Sequence, residues 1–211
     1  MSLPSRTHSP EDDLAFLRSI AEGAGRTRMA GGVAYLAGGL LYGLQCLFHW
    51  GQMTGLIRWP GWASLSFVVA VTVIFLIVLI AAIRRDRGAS RQGSSANRAL
   101  GATFAGAGLA NLAMVAVFGA NALRLGSLEV WLLYPAVVFA LQGAVWYVMH
   151  ALQRRTWMLA TAIGWLVAAV ALGLANGSAY YLVVCTVSLF GLMALPGWIM
   201  LREARVAQAG T

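Results

Sequence analysis

There is no lysine anywhere in the 211 residues, only two cysteines, only seven acidic residues, and no charged side chain at all in long stretches of the chain. Each shortage excludes something. Without a lysine amine there is no Schiff base to retinal or pyridoxal and no Walker-type phosphate loop. Two cysteines without a Cys-x-x-Cys spacing argue against a structural zinc site or a thioredoxin-like redox centre. All seven acids (Glu11, Asp12, Asp13, Glu22, Asp86, Glu129 and Glu203) fall in tails or turns, so there are no paired carboxylates for acid/base work. A proton- or sodium-coupled carrier generally needs an intramembrane carboxylate, and none is available. His-Glu-x-x-His and Gly-x-Ser-x-Gly are absent as well. The expectation is a non-enzymatic protein without metal or cofactor.

What the chain does have is apolar length. Hydrophobic residues make up 60% and charged residues 10%, against about 25% charged in an ordinary soluble domain. Six runs carry no charge: Met29–Trp50, Trp62–Ile83, Ala99–Leu123, Val130–Gln153, Trp157–Gly177 and Ala179–Leu201. Each is at or above the roughly 20 residues that cross a bilayer core. The predicted fold class is therefore all-α: a polytopic membrane protein with a six-transmembrane-helix bundle over residues 29–201. It is preceded by a segment, 1–28, with a short N-terminal amphipathic cytoplasmic helix, and followed by a tail, 202–211. Pro4, Pro10 and the acids Glu11, Asp12 and Asp13 interrupt the first 28 residues, which do not read as a cleavable signal peptide.

Every basic residue is arginine, and the arginines alternate. Arg6, Arg18, Arg26, Arg28, Arg84, Arg85, Arg87, Arg91, Arg98, Arg154, Arg155, Arg202 and Arg205 fall in one set of gaps, and only Arg58 and Arg124 in the other. Positive charge in short loops is held on the cytoplasmic side, so both termini are expected inside. An arginine-only, Gly- and Ala-rich composition points to a GC-rich genome and hence to a bacterial inner membrane. The net charge of +8 then reads as contact with anionic headgroups at Arg84, Arg85, Arg87 and Arg91 rather than with nucleic acid. Trp50, Trp59, Trp62, Trp131, Tyr180 and Tyr181 mark the predicted outer boundary, Trp157 and Trp198 the inner one, and Trp165 falls near mid-span.

Ser9, Pro10, Glu11 and Asp12 form a helix start, with Leu14, Leu17 and Ala21 on one face and Gly23 and Gly25 as the predicted end. This helix suits the bilayer surface or a soluble partner. Small residues dominate the odd spans: Gly39 and Gly43 in the first, Ala102, Gly106 and Ala110 in the third, Ala160 and Gly164 in the fifth. Such spacing lets helix backbones approach. It predicts odd spans inside, bulky even spans outside, and Gly39 and Gly43 as a face for a second copy or a membrane complex. Each even span begins with an aromatic and ends at arginine, a pattern that three hairpin repeats would give but that the aromatic belt and the arginine bias impose anyway.

Polar groups in hydrocarbon need partners, which makes the few present the candidate site. Asn111 and Gln142 lie at equal distances from a turn near Gly126, so an antiparallel hairpin brings them to one depth. They either bond each other or bind a neutral solute together with Thr72, Thr186 and Ser188. Tyr42, Gln45 and His49 recur at helical spacing on the first span. His150 falls at the opposite boundary from His49, which excludes a shared haem or two-histidine metal site. Cys46 and Cys185 share a depth, either as a bridge or as apolar filler. Pro135 and Pro196 predict kinks or packing features. Two functions follow as expectations: binding or transport of an uncharged or lipophilic small molecule at Asn111, Gln142, Thr72, Tyr42, Gln45 and His49, or an accessory or regulatory subunit of a membrane complex.

Overall fold

The computed structural model describes residues 10–86 and 95–209, with side chains described outside 10–28, 86, 95–100 and 207–208. Among the described residues there are helices and turns and no strand. The order is α1 (Pro10–Met53), α2 (Gly61–Asp86), α3 (Ser95–Leu125), a five-residue α4 (Leu128–Leu132), α5 (Tyr134–Gln153), α6 (Thr156–Leu174), α7 (Tyr181–Leu189), a π-turn (Phe190–Ala194) and α8 (Leu195–Ala209). Six stretches are long and apolar enough to cross a membrane: Met29–Met53, Gly61–Arg85, Gly101–Leu125, Leu128–Gln153, Thr156–Leu174 and Tyr181–Val206. The sixth joins α7, the π-turn and α8.

The helix that starts at Pro10 does not end at Gly23 or Gly25 but continues into the first span. Glycine costs a helix about 1 kcal/mol relative to alanine without removing a hydrogen bond, so it weakens a helix and does not by itself stop one. The side chains on the predicted amphipathic face, Leu14, Leu17 and Ala21, lie outside those described. So do Arg87 and Arg91 of the predicted headgroup-binding loop.

Spans one, four, five and six form the packed centre, which corrects the odd-inside expectation. The core gathers Tyr35, Phe139, Trp146, Met149, Met158, Ala162, Trp165, Leu172, Tyr181 and Cys185. Span three, for all its small residues, has no buried residue in its most apolar window, and a Cβ placed at Gly101, Gly106 or Gly108 would meet nothing within 4 Å. Small residues permit close approach; they confer centrality only where a neighbour uses it. Span six uses that of α1. A Cβ on Gly39 would strike the backbone of Ala194, one on Gly43 the ring of Phe190, and one on Gly197 the backbone of Leu36. The Gly39 and Gly43 face proposed for another protein is thus covered from within the chain.

Span six bends where proline requires it. Pro196 has no N–H to give the Leu192 carbonyl, and its ring crowds that oxygen. The preceding turn widens, and the Leu195 N–H reaches back five residues to the Phe190 oxygen. Span four breaks near its own proline: α4 ends at Leu132, and Pro135 takes the first turn of α5. The Leu132 carbonyl at this break accepts the Tyr181 hydroxyl at 2.7 Å. Tyr181 is accordingly buried, while only its neighbour Tyr180 holds the exposed position expected of a boundary aromatic. Trp165, the mid-span exception, is 1% exposed and packs edge-on against Phe139 at 4.7 Å.

Candidate functional site

Helices α1 and α2 run antiparallel, so Tyr42, eleven residues before the end of α1, meets Thr72, eleven residues into α2. Tyr42 lies beside Thr72, and its ring packs on Phe75 at 5.2 Å. The Thr72 hydroxyl donates to the Val68 carbonyl at 2.9 Å, which satisfies it within its own helix. Beside this pair, the Tyr134 hydroxyl donates to Asn111 Oδ1 at 2.8 Å, joining α5 to α3. Tyr134 and Tyr42 are electrostatic neighbours, so four polar side chains from four helices share one region. All four are half-buried.

Asn111 accepts from Tyr134, but its amide nitrogen donates to nothing among the described residues. Asn111 is half-buried, and in hydrocarbon an amide donor without an acceptor is unfavourable. Among the described residues α2 packs mainly against α1 and α3 against α5, with no extensive contact between α2 and α3. Thr72 and Asn111 thus sit on the two outer helices, and Tyr42 and Tyr134 on the inner helices these pack against.

Gln142 is elsewhere. Its Oε1 accepts from Tyr35, and Tyr35 in turn accepts from Trp146 Nε1 at 3.0 Å, so α1 and α5 are clamped by a buried three-residue network. The expected Asn111–Gln142 amide bond does not form. Tyr134, the actual partner of Asn111, precedes Gln142 by eight residues, or about 12 Å of helix. The helices are thus offset by about two turns from equal spacing about Gly126, with Tyr134 only eight residues past that turn and Asn111 fifteen before it.

Of the remaining expected residues, Gln45 buries its Oε1 without any partner. His49 Nδ1 lies 3.1 Å from Gln52 Oε1, and Gln52 Nε2 donates to Ser64 at 2.6 Å, so this end of the stripe ties the first hairpin rather than joining the cluster. Thr186 bonds its own helix at Leu182, and Ser188 is buried on the sixth span. Cys46 and Cys185 are both free thiols, packed into the same apolar cluster. Among the described residues no group of three His, Cys, Asp or Glu converges on a common point.

Composition gave no reason to weight Tyr35 or Tyr134 as site residues. Tyr134 stacks on the boundary residue Trp131 at 5.2 Å, so its place near the aromatic belt gave it an ordinary anchoring role, and Tyr35 carried no distinguishing signal. No protein-family model matches this chain, and no curated protein or solved structure is significantly similar to it.

Proposed function

We propose that this chain is a non-enzymatic integral protein of a bacterial inner membrane, with both termini in the cytoplasm, that binds an uncharged, lipophilic small molecule carrying a hydrogen-bonding oxygen. The ligand lies between α2 and α3, and its oxygen accepts from the Asn111 amide beside Tyr42, Thr72 and Tyr134. The observation that carries this reading is the Asn111 amide nitrogen, which has no acceptor among the described residues and lies on an outer helix with no extensive described contact to α2. An uncharged ligand fits because no ionisable acid or base lies among these four residues, and a charged one would lack a counter-ion in hydrocarbon.

Lipid extraction of the purified protein followed by mass spectrometry tests it. An uncharged lipophile should co-purify with wild type and be lost from Asn111→Leu and Tyr42→Phe variants that remain folded. Retention of the same molecule by both variants sinks the site. A second reading is supported by the bare glycines of α3: an accessory subunit whose third span packs on another membrane protein's helix. Stoichiometric recovery of a partner protein lost on Gly106→Leu, with no bound lipophile, favours that reading instead.

A further inference from the structure

At the end of the bundle that holds the C-terminus, a groove of about 330 Å³ runs between α1 and α8, lined by Leu36, Trp198, Leu201, Arg202, Arg205 and Val206. Its floor follows from helical spacing: Trp198, Leu201, Arg202 and Arg205 are three or four residues apart and share one stripe. The groove is polar at one end only. Leu36 lies where α1 and α8 cross most closely, against Gly197, and with Trp198 and Leu201 it makes the deeper wall. Arg202 and Arg205 follow one turn further along α8, both exposed.

Among the described residues nothing neutralises the charge there. Glu203, the one acid on α8, is turned to the other side, where its Oε1 accepts from Arg155 Nη1 at 2.5 Å. Neither Arg202 nor Arg205 has an ion-pair partner among the described residues. The Arg202 guanidinium instead lies 5.8 Å from the centre of the Trp198 ring, a cation–π contact that holds it at the groove mouth and leaves its N–H donors free of any carboxylate among the described residues.

We infer that this groove is a binding site for an anionic phospholipid, with the headgroup phosphate between Arg202 and Arg205 and an acyl chain along Leu36, Trp198 and Leu201. Arginine suits phosphate because its planar donors match two oxygens at once. Two unpaired cations above an apolar wall select a lipid of net negative charge over a zwitterionic one, whose ammonium would meet like charge. The inference rests on the bundle lying in a bilayer and is independent of the Asn111 cluster, which takes an uncharged ligand on other helices.

The full-length protein in detergent, stripped of lipid and given back phosphatidylglycerol or phosphatidylcholine, provides the test, with retention read by native mass spectrometry. Wild type should retain phosphatidylglycerol preferentially, and R202Q/R205Q should lose that preference by roughly thirtyfold, the product of two surface arginines at about fivefold each. An R58Q/R124Q variant, at the other end of the bundle, should keep it. Equal retention of the two lipids by wild type, an unchanged preference in R202Q/R205Q, or an equal loss in R58Q/R124Q overturns the site. Displacement of the lipid by millimolar inorganic phosphate also overturns it, because the arginines would then bind a free anion. Should R202Q/R205Q fail to fold, V206E places a carboxylate at an exposed groove position, and undiminished retention there is equally decisive. Release of the native protein from membranes by alkaline carbonate would remove the bilayer premise itself, whereas retention in the membrane without lipid preference removes only this site.

Discussion

Glycines of this chain divide into those whose missing side chain is used and those whose is not, and the difference is measurable. Gly39 faces the Ala194 backbone, which cannot yield, whereas Gly106 faces open space. Gly39→Val should lower the melting temperature in detergent markedly, by an overpacking cost of about 1 to 3 kcal/mol or more, while Gly106→Val should leave it nearly unchanged. Equal effects at the two positions would contradict the α1–α8 contact. The cysteines allow a second check on the same pair of spans. Cys46 and Cys185 are free but adjacent, so copper phenanthroline should join them into an intramolecular disulfide. The expected readout is a faster-migrating band on a non-reducing gel that is missing in Cys46→Ser.

At the scale of the elements, the hydrogen bond from Tyr134 to Asn111 replaces the amide pair expected from equal spacing about Gly126. A double-mutant cycle separates the two. Asn111→Ala with Tyr134→Phe should show a coupling of about 0.6 to 1.7 kcal/mol, and Asn111→Ala with Gln142→Ala a coupling near zero. Tyr181→Phe should also destabilise, by about 1 kcal/mol, because the Leu132 carbonyl at the α4–α5 break then has no donor. These elements show how far the sequence was readable. Charge-free length locates all six spans to within a few residues, since burying an ion in hydrocarbon is the largest single cost in the chain. Depth groups Thr72 with Asn111 but leaves Tyr42 in a separate stripe with Gln45 and His49. Register and neighbours were not legible: Asn111 meets Tyr134 about two turns nearer the Gly126 turn than equal spacing gives, and four-residue spacing of small residues is the same in α1, where it is filled, as in α3, where it is open.

Considered whole, the chain brings Arg84, Arg85, Arg154, Arg155, Arg202 and Arg205 to one end of alternating helices and Arg58 and Arg124 to the other. In a variant lacking the native cysteines, Thr54→Cys should react with a membrane-impermeant maleimide added outside intact cells, and Ala209→Cys only after permeabilisation. The reverse pattern would invert the proposed orientation, and labelling of both from outside would break the six-span topology. The contact pattern also gives the bundle two tiers: the first span with the last three, and an outer pair, α2 and α3, attached to α1 and α5. The proposed ligand would reach Asn111 through that outer pair without disturbing the central packing, where Trp146, Trp165 and Leu172 are fully enclosed.

The crossing of Gly39 with Ala194 joins points 155 residues apart in a polypeptide made from one end. At a synthesis rate of about 5 to 20 residues per second, the first span waits roughly 8 to 30 seconds in the membrane for its mate. Its notch stands bare to lipid and to the insertion machinery all that time. A ribosome stalled before codon 190 should therefore leave a product that is inserted yet sensitive to protease, and the few residues that complete the π-turn and α8 should convert it to a resistant one.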